Sequence, residues 1–285
     1  MILIFYNHRK PLVRKVLPEL QSFLEKRRRA TRLIESRELK PIQAASGGKR
    51  VSSRAPAQLA ISLGGDGTLL AAAREVFPGR IPMMGINLGG LGFLSAADHT
   101  DWRENLELAL EERLPKEERM VLDVELNLGR RQFHRIAIND CVIRSGRNPR
   151  MLEMEISSDR HGYLARVHGD GLIGATPTGS SAYALAAGGP LVDPQVPAFL
   201  VVPLASHSLT QRPLLIDSAQ ALTVKLCPYR GEASRAAVVL DGQLSQEMAD
   251  GDWVILRRHH ASFILLRSRK HTYFDFLREK LHWAA

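Results

Sequence analysis

Asp66 stands between glycines in the run Gly64-Gly65-Asp66-Gly67-Thr68. Glycine has no Cβ, so the backbone can take positive φ and a ligand can approach it closely. The apolar Ala-Ile-Ser-Leu at 60–63 reads as the end of a buried strand. Leu69 to Val76, alanine-rich and without a breaker, reads as the helix behind the turn. A helix N-terminus offers unpaired N–H groups to an anion, typically phosphate. A carboxylate there cannot bind phosphate directly. It can accept a proton from a hydroxyl or hold a metal, as phosphoryl transfer requires. The plainer alternative is a tight turn in which Asp66 is the helix N-cap.

Three further stretches carry groups of the same kind. Asn87-Leu-Gly-Gly-Leu-Gly92-Phe93-Leu94 is a second glycine turn, and it is not the Gly-x-Gly-x-x-Gly dinucleotide fingerprint. Asn139-Asp140 ends a strand-like run over 132–140, placed to hydrogen-bond a ribose or base. Asp170 to Tyr183 is an apolar run ending in a turn dense with hydroxyls, Thr176-Pro177-Thr178-Gly179-Ser180-Ser181. A short helix through Ala187 is expected to follow, capped by Thr178 or Ser180. A serine hydrolase is disfavoured: Ala182 and Tyr183 follow Ser181, so the Gly-x-Ser-x-Gly elbow is absent. His207-Ser208 makes no dyad by itself, because neighbours in a strand point opposite ways.

The elements that must position these groups change character along the chain. Met1 to Asn7 is expected to be a strand, Pro11 to Ile34 an amphipathic helix, and Lys40 to Ala57 a loop rich in Gly, Ser and Pro. With the Asp66 strand and helix and a third strand at Ile81 to Ile86, the order is strand, helix, strand, helix, strand. That is a parallel sheet with crossover helices, whose ligands sit beyond the carboxyl ends of the strands. A helix follows over Asp101 to Glu112. From Glu118 on, short β-rich runs at 120–128, 132–144, 151–157, 163–168, 198–203, 213–216, 221–226, 236–240 and 253–257 suggest a sandwich or barrel. A strand at Phe263 to Leu266 and a helix at Tyr273 to Leu281 close the chain.

The 285 residues allow one large domain or two modest ones. No apolar run approaches the roughly 20 residues of a membrane span, and Met1 to Tyr6 is too short for a signal peptide. Cys141 and Cys227 are far apart and have no metal spacing, which suits a reduced cytoplasm. The net charge of +9 suits a polyanionic small substrate as well as it suits nucleic acid. Aromatics are only 6% and none interleaves a basic run, so a base-stacking surface is poorly supported.

Taken together, Gly-Gly-Asp-Gly-Thr at 64–68, Gly-Ile-Asn-x-Gly-x-Leu-Gly-Phe-Leu at 85–94, Asn139-Asp140, Asp-Gly-Leu-Ile at 170–173, Thr-Pro-Thr-Gly-Ser at 176–180 and His-Ser-Leu-x-x-Arg-Pro-Leu at 207–214 come in the order that characterises NAD kinases. The chain resembles that family over about residues 60 to 245, whereas the diacylglycerol and sphingosine lipid kinases share only the first motif. The resemblance implies a phosphotransferase with an alcohol acceptor, passing the terminal phosphoryl group of ATP, or of polyphosphate, to the adenosine-ribose 2′-hydroxyl of NAD to give NADP. It implies a divalent metal, Mg2+ or Mn2+, with unknown ligands. Position by position, Asp66 stands for the catalytic carboxylate, and Gly64, Gly65, Gly67 and Thr68 for the phosphate turn. Asp66, Gly67, Phe93, Asn139, Asp140, Arg150, His168, Asp170, Thr178, Ser181, Ala182, Tyr183, Ala184, Leu185, Ala186 and Gln243 stand for the dinucleotide set. His168 falls where relatives often carry Arg or Lys, and Ser181 where Thr is common.

The implied architecture is α/β plus all-β. A Rossmann-like nucleotide-binding domain over 1–98 is followed by a β-sandwich-like NAD-binding domain over 99–263, and 264–285 return to the first. The active site is expected between the two, in a cytoplasmic homodimer or homotetramer with no nucleic-acid or membrane partner. The rival readings are a lipid kinase and a non-catalytic dinucleotide-binding regulator.

Overall fold

The computed structural model describes residues 1–36, 57–89, 92–146, 151–206, 208 and 210–283. The loop expected at 40–57 therefore lies outside the described residues up to 56. Arg150, His207 and positions 90–91 of the second glycine turn lie outside them as well.

The chain opens with β1 (Ile2–Tyr6), α1 (Val13–Lys26), β2 (Thr31–Glu35), β3 (Leu59–Gly64), α2 (Asp66–Val76) and β4 (Met83–Asn87). α1 buries Val13, Val16, Leu20 and Leu24, one stripe at helical spacing. It ends at Lys26 rather than at Ile34, because Thr31–Glu35 pairs in parallel with β1 as an edge strand. β1 pairs with β3, and β3 with β4, all in parallel. β3 is buried along its length, as a strand covered on both faces must be. The carboxyl ends of β3 and β4 carry the two glycine turns. β5 (Ala97–Asp98), α3 (Trp102–Leu110) and β6 (Lys116–Arg119) complete this stretch.

The next stretch is antiparallel: β7 (Leu122–Leu128), β8 (Arg131–Ala137), β9 (Asp140–Ser145), β10 (Leu152–Ser158), β11 (Gly162–Gly169), β12 (Gly171–Ala175), β13 (Ala198–Leu204), β14 (Leu214–Asp217), β15 (Leu222–Cys227), β16 (Arg235–Leu240), β17 (Leu244–Ala249) and β18 (Trp253–Arg258). One sheet runs β11-β10-β15-β18-β7-β8, the other β14-β13-β12-β9-β16-β17. Alternate residues of both, among them Val124, Met154, Val224, Ile143, Phe199 and Val238, form one buried core. The run expected as a single strand over 132–144 is two. β8 belongs to the first sheet and β9 to the second, with Asn139 between them.

β19 (Phe263–Leu266) then inserts between β4 and β6, and α5 (Tyr273–Leu281) follows, opened by a capping box of Thr272 and Asp275. The first sheet is therefore ordered β2-β1-β3-β4-β19-β6, with β5 beside β4. The chain divides into two compact units, one formed by the described residues up to Arg119 together with those from Ser262 on, the other by those of 120–261. The first unit extends past the boundary expected at residue 98. Trp102 and Leu106 of α3 join its core, and β6 pairs with β19. The chain is thus α/β followed by a β-sandwich, with its C-terminal segment back in the first unit. Among the described residues, no helix is long and apolar enough to cross a membrane.

Candidate functional site

In the first unit the N-cap of α2 is Gly65, with extended backbone, and Asp66 is the first residue of the helix. Asp66 is not the N-cap, and the helix starts three residues earlier than the alanine-rich run suggested. Its carboxylate reaches across to the second glycine turn. Oδ2 accepts from the Phe93 N–H at 3.0 Å, and Oδ1 from the Leu94 N–H at 3.4 Å. A Cβ on Gly92 would overlap Asp66 Oδ1 and come within 2.7 Å of Asn87 Nδ2, so the close approach of the two turns requires glycine there. Asn87 holds its own loop, its Oδ1 accepting from the Gly89 N–H at 2.9 Å.

Burial pushes the Asp66 carboxyl above its ordinary value. The Leu94 and Phe93 N–H groups and the charges of Arg267 and Lys280 oppose that shift. A carboxylate so placed is half-buried, fixed by two donors and more basic than a free one. Thr68 is buried, and its side chain occupies the space a Cβ on Gly64 would take. Gly67 is exposed beside it.

In the second unit, β9, β12 and β16 run side by side, with Asp140 opposite Ala175 and Cys141 opposite Leu240. Their ends bring 138–140, 176–181 and 241–243 together. Asp241 organises this end. Its Oδ1 accepts from the N–H groups of Ile138 at 3.1 Å, Asn139 at 2.7 Å and Asp140 at 3.2 Å. The Thr176 hydroxyl donates to the Ile138 carbonyl at 2.7 Å and accepts from the Gly179 N–H at 3.1 Å. A Cβ on Gly179 would overlap the Asn139 carbonyl.

The result is a rigid turn that presents two side chains. Asn139 Oδ1 is buried and finds no partner among the described residues. Asp140 is 4% exposed, and its carboxyl is pushed up to about 7 by burial and by the neighbouring Asp241. A buried acceptor left without a donor is costly, and a ligand can relieve that cost.

Thr178 lies in a 3₁₀ turn over Thr178–Ser181, and the α-helix after it spans only Tyr183–Ala186. Neither Thr178 nor Ser180 caps a helix. The Ser180 hydroxyl donates to the Pro177 carbonyl at 2.7 Å and accepts from the Val192 N–H at 3.0 Å. Ser181 donates to Thr178 O, Tyr183 is exposed, Ala184 is buried, and Ala182 and Leu185 are half-buried beside exposed Ala186. Gln243 is exposed at the same end of the sheet.

His168 and Asp170 are not brought to this end. Gly171 opposes Arg144 at the far end of β12, roughly 13 Å from Ala175 at about 3.3 Å per residue. Asp170 is exposed there, and His168 pairs with Glu153 at 3.1 Å. Asp241 and Arg267 had not been singled out from the sequence. Asp241 bonds Asn139 from 102 positions away and Arg267 bonds Phe93 from 174, and no local spacing marks them.

Comparison with known proteins bears on both units. The model of the ATP-NAD kinase N-terminal domain matches residues 2–114, and that of the ATP-NAD kinase C-terminal domain matches residues 138–268. The chain is 39% identical over 238 residues to the NAD kinase of Azoarcus sp. (strain BH72), covering 83% of this chain and 79% of that one. It is 36% identical over 252 residues to the NAD kinase of Geotalea daltonii, covering 88% and 87%. Among solved structures, yeast NADH kinase complexed with NADH superposes with a TM-score of 0.83 at 24% identity, over 100% of this chain and 88% of that one. The NAD kinase of Archaeoglobus fulgidus in complex with ATP gives 0.76 at 22%, over 99% of each. These two likenesses concern the fold.

Proposed function

The chain belongs to the NAD kinase family, which phosphorylates the adenosine-ribose 2′-hydroxyl of NAD to NADP, and from that premise we propose that Asp66 orients this hydroxyl and takes its proton. One observation carries the reading. Asp66 is half-buried, held by the Phe93 and Leu94 N–H groups, and made more basic by burial. The transition state of phosphoryl transfer is loose, so a fixed acceptor at the attacking oxygen contributes mainly by alignment. The Gly64–Thr68 turn and the start of α2 are proposed to face the phosphates of ATP, with backbone rather than the buried Thr68 side chain supplying the contacts. Phe93, beside Asp66, is proposed to pack against the ribose.

Asn139 and Asp140 are proposed to hold the dinucleotide. Asn139 Oδ1 offers an unpartnered acceptor, and Asp140 changes from donor to acceptor near neutral pH. Thr178, Ser181 and Gln243 add polar contacts, and Ala182 to Ala186 an apolar wall. His168 and Asp170 fall outside this set on the same chain.

Among the described residues, no three His, Cys, Asp or Glu side chains gather. Mg2+ is ordinarily held by substrate phosphates and one or two carboxylates, so the divalent ion is proposed to arrive as part of the Mg–ATP substrate. We place the activity in the cytoplasm, without nucleic-acid or membrane partners.

The test is turnover of purified protein with NAD and Mg–ATP, followed by the variant with both Asn139→Ala and Asp140→Ala. NADP should form, and the double variant should raise KM for NAD about tenfold or more while KM for ATP holds, since each lost ligand hydrogen bond costs about 1–3 kcal/mol. An unchanged KM for NAD in the folded double variant would remove the binding role. NAD binding without turnover in the wild type would favour the regulator.

A further inference from the structure

β19 ends at Leu266, and the next residue, Arg267, is 3% exposed. A guanidinium keeps its charge, so burying it is costly unless it is paired. Arg267 Nη1 donates to the Phe93 carbonyl at 2.7 Å. Its Nε lies 3.7 Å from Glu117 on β6, a carboxylate already paired with the buried Arg119. Its guanidinium sits 4.8 Å from the centroid of the Phe276 ring on α5. Nη2 is buried and finds no partner among the described residues. One glutamate thus serves two buried arginines, which leaves the surroundings of Arg267 short of negative charge.

The Phe93 carbonyl and the Leu94 N–H belong to one planar peptide. Arg267 grips that peptide at its oxygen, and Asp66 accepts from its N–H at the other end. A carbonyl bound to a cation polarises its peptide and strengthens the N–H as a donor. We infer that Arg267 is a positioning residue for Asp66: by gripping the Phe93–Leu94 peptide it fixes the turn that holds the carboxylate, and its charge keeps that carboxylate ionised. The C-terminal segment of the chain thereby takes part in the first glycine turn, 201 positions earlier. The other groups acting on Asp66 are the Phe93 and Leu94 N–H groups, Lys280 of α5 and the N-terminal end of α2 itself. The kinetic consequence rests on Asp66 being the proton acceptor. The positional claim does not.

Carbon-13 NMR titration of the Asp66 carboxyl tests the inference directly. In Arg267→Met its midpoint should move to higher pH. Arg267→Lys should move it less, because an ammonium keeps the charge and loses the planar fork. The acid limb of the kcat–pH profile should move to higher pH with it, kcat on that limb falling about tenfold for each pH unit the midpoint moves and recovering on the alkaline side, with KM for NAD unchanged. An Asp66 midpoint that stays at its wild-type position, in Met or, should Met not fold, in Lys, overturns the inference. A midpoint that moves while the rate profile stays put leaves the positioning intact and instead removes Asp66 as the proton acceptor.

Discussion

At the scale of single residues, Asp140 shows how burial sets chemistry. Two carboxylates meet at the ends of β9 and β16. Asp241 accepts three backbone N–H groups. Asp140 lies buried beside it, and its carboxyl rises from 3.8 to about 7 through burial and the charge of Asp241. The folded chain holds this proton more tightly than the unfolded chain does. The group supports the fold fully below about pH 4, and that support is lost as pH rises through about 7. Asp140→Asn should therefore melt higher than wild type at pH 8, by on the order of 1–3 kcal/mol, with the difference closing toward pH 4. Thermal melts at the two pH values check this, and an equal or lower melting temperature at pH 8 would contradict it. Asp66, Asn139 and Asp140 were legible because each sits in a local run of unusual composition. Asp241 and Arg267 were not. Asp241 acts on Asn139 from 102 positions away, and Arg267 on Phe93 from 174.

At the scale of elements, the interior strands were legible, as were the edges β8, β11 and β14, while the edges β2, β6 and β17 were not. β3 and β4 are buried throughout and mostly apolar, whereas β2 buries only Ile34 and β17 only Met248, so neither alternates clearly enough to read as a strand. β8 and β9 read as one run because nothing in their composition announces a change of sheet. The change falls at Asn139, and it is what frees that side chain from a ladder. β14 is an edge strand that leaves Leu214 and Leu215 53% and 47% exposed. An apolar edge of this kind is a template for strand pairing or packing with another chain. A homodimer or homotetramer is therefore expected, and light scattering at micromolar concentration should return twice or four times the 31.7 kDa chain mass. A monomer mass under those conditions would contradict it.

At the scale of the whole molecule, the α/β unit, the β-sandwich and the returning C-terminal segment follow the architecture that the motif order implied. The difference is where the first unit ends, and packing explains it. α3 is a short amphipathic helix that either unit could have claimed from its sequence, and burial of Trp102 and Leu106 in the first core assigns it. A single substitution tests the role of the Asp66 carboxylate. Asp66→Asn keeps the size of the side chain and one acceptor oxygen for the Phe93–Leu94 turn but removes the charge and the site for the proton. kcat for NADP formation from NAD and Mg–ATP should fall by about 10²–10⁴, the usual worth of general-base help. Calorimetry should still find NAD bound, and the melting temperature should stay near that of the wild type. Turnover at the wild-type rate in a folded Asp66→Asn protein would contradict the account.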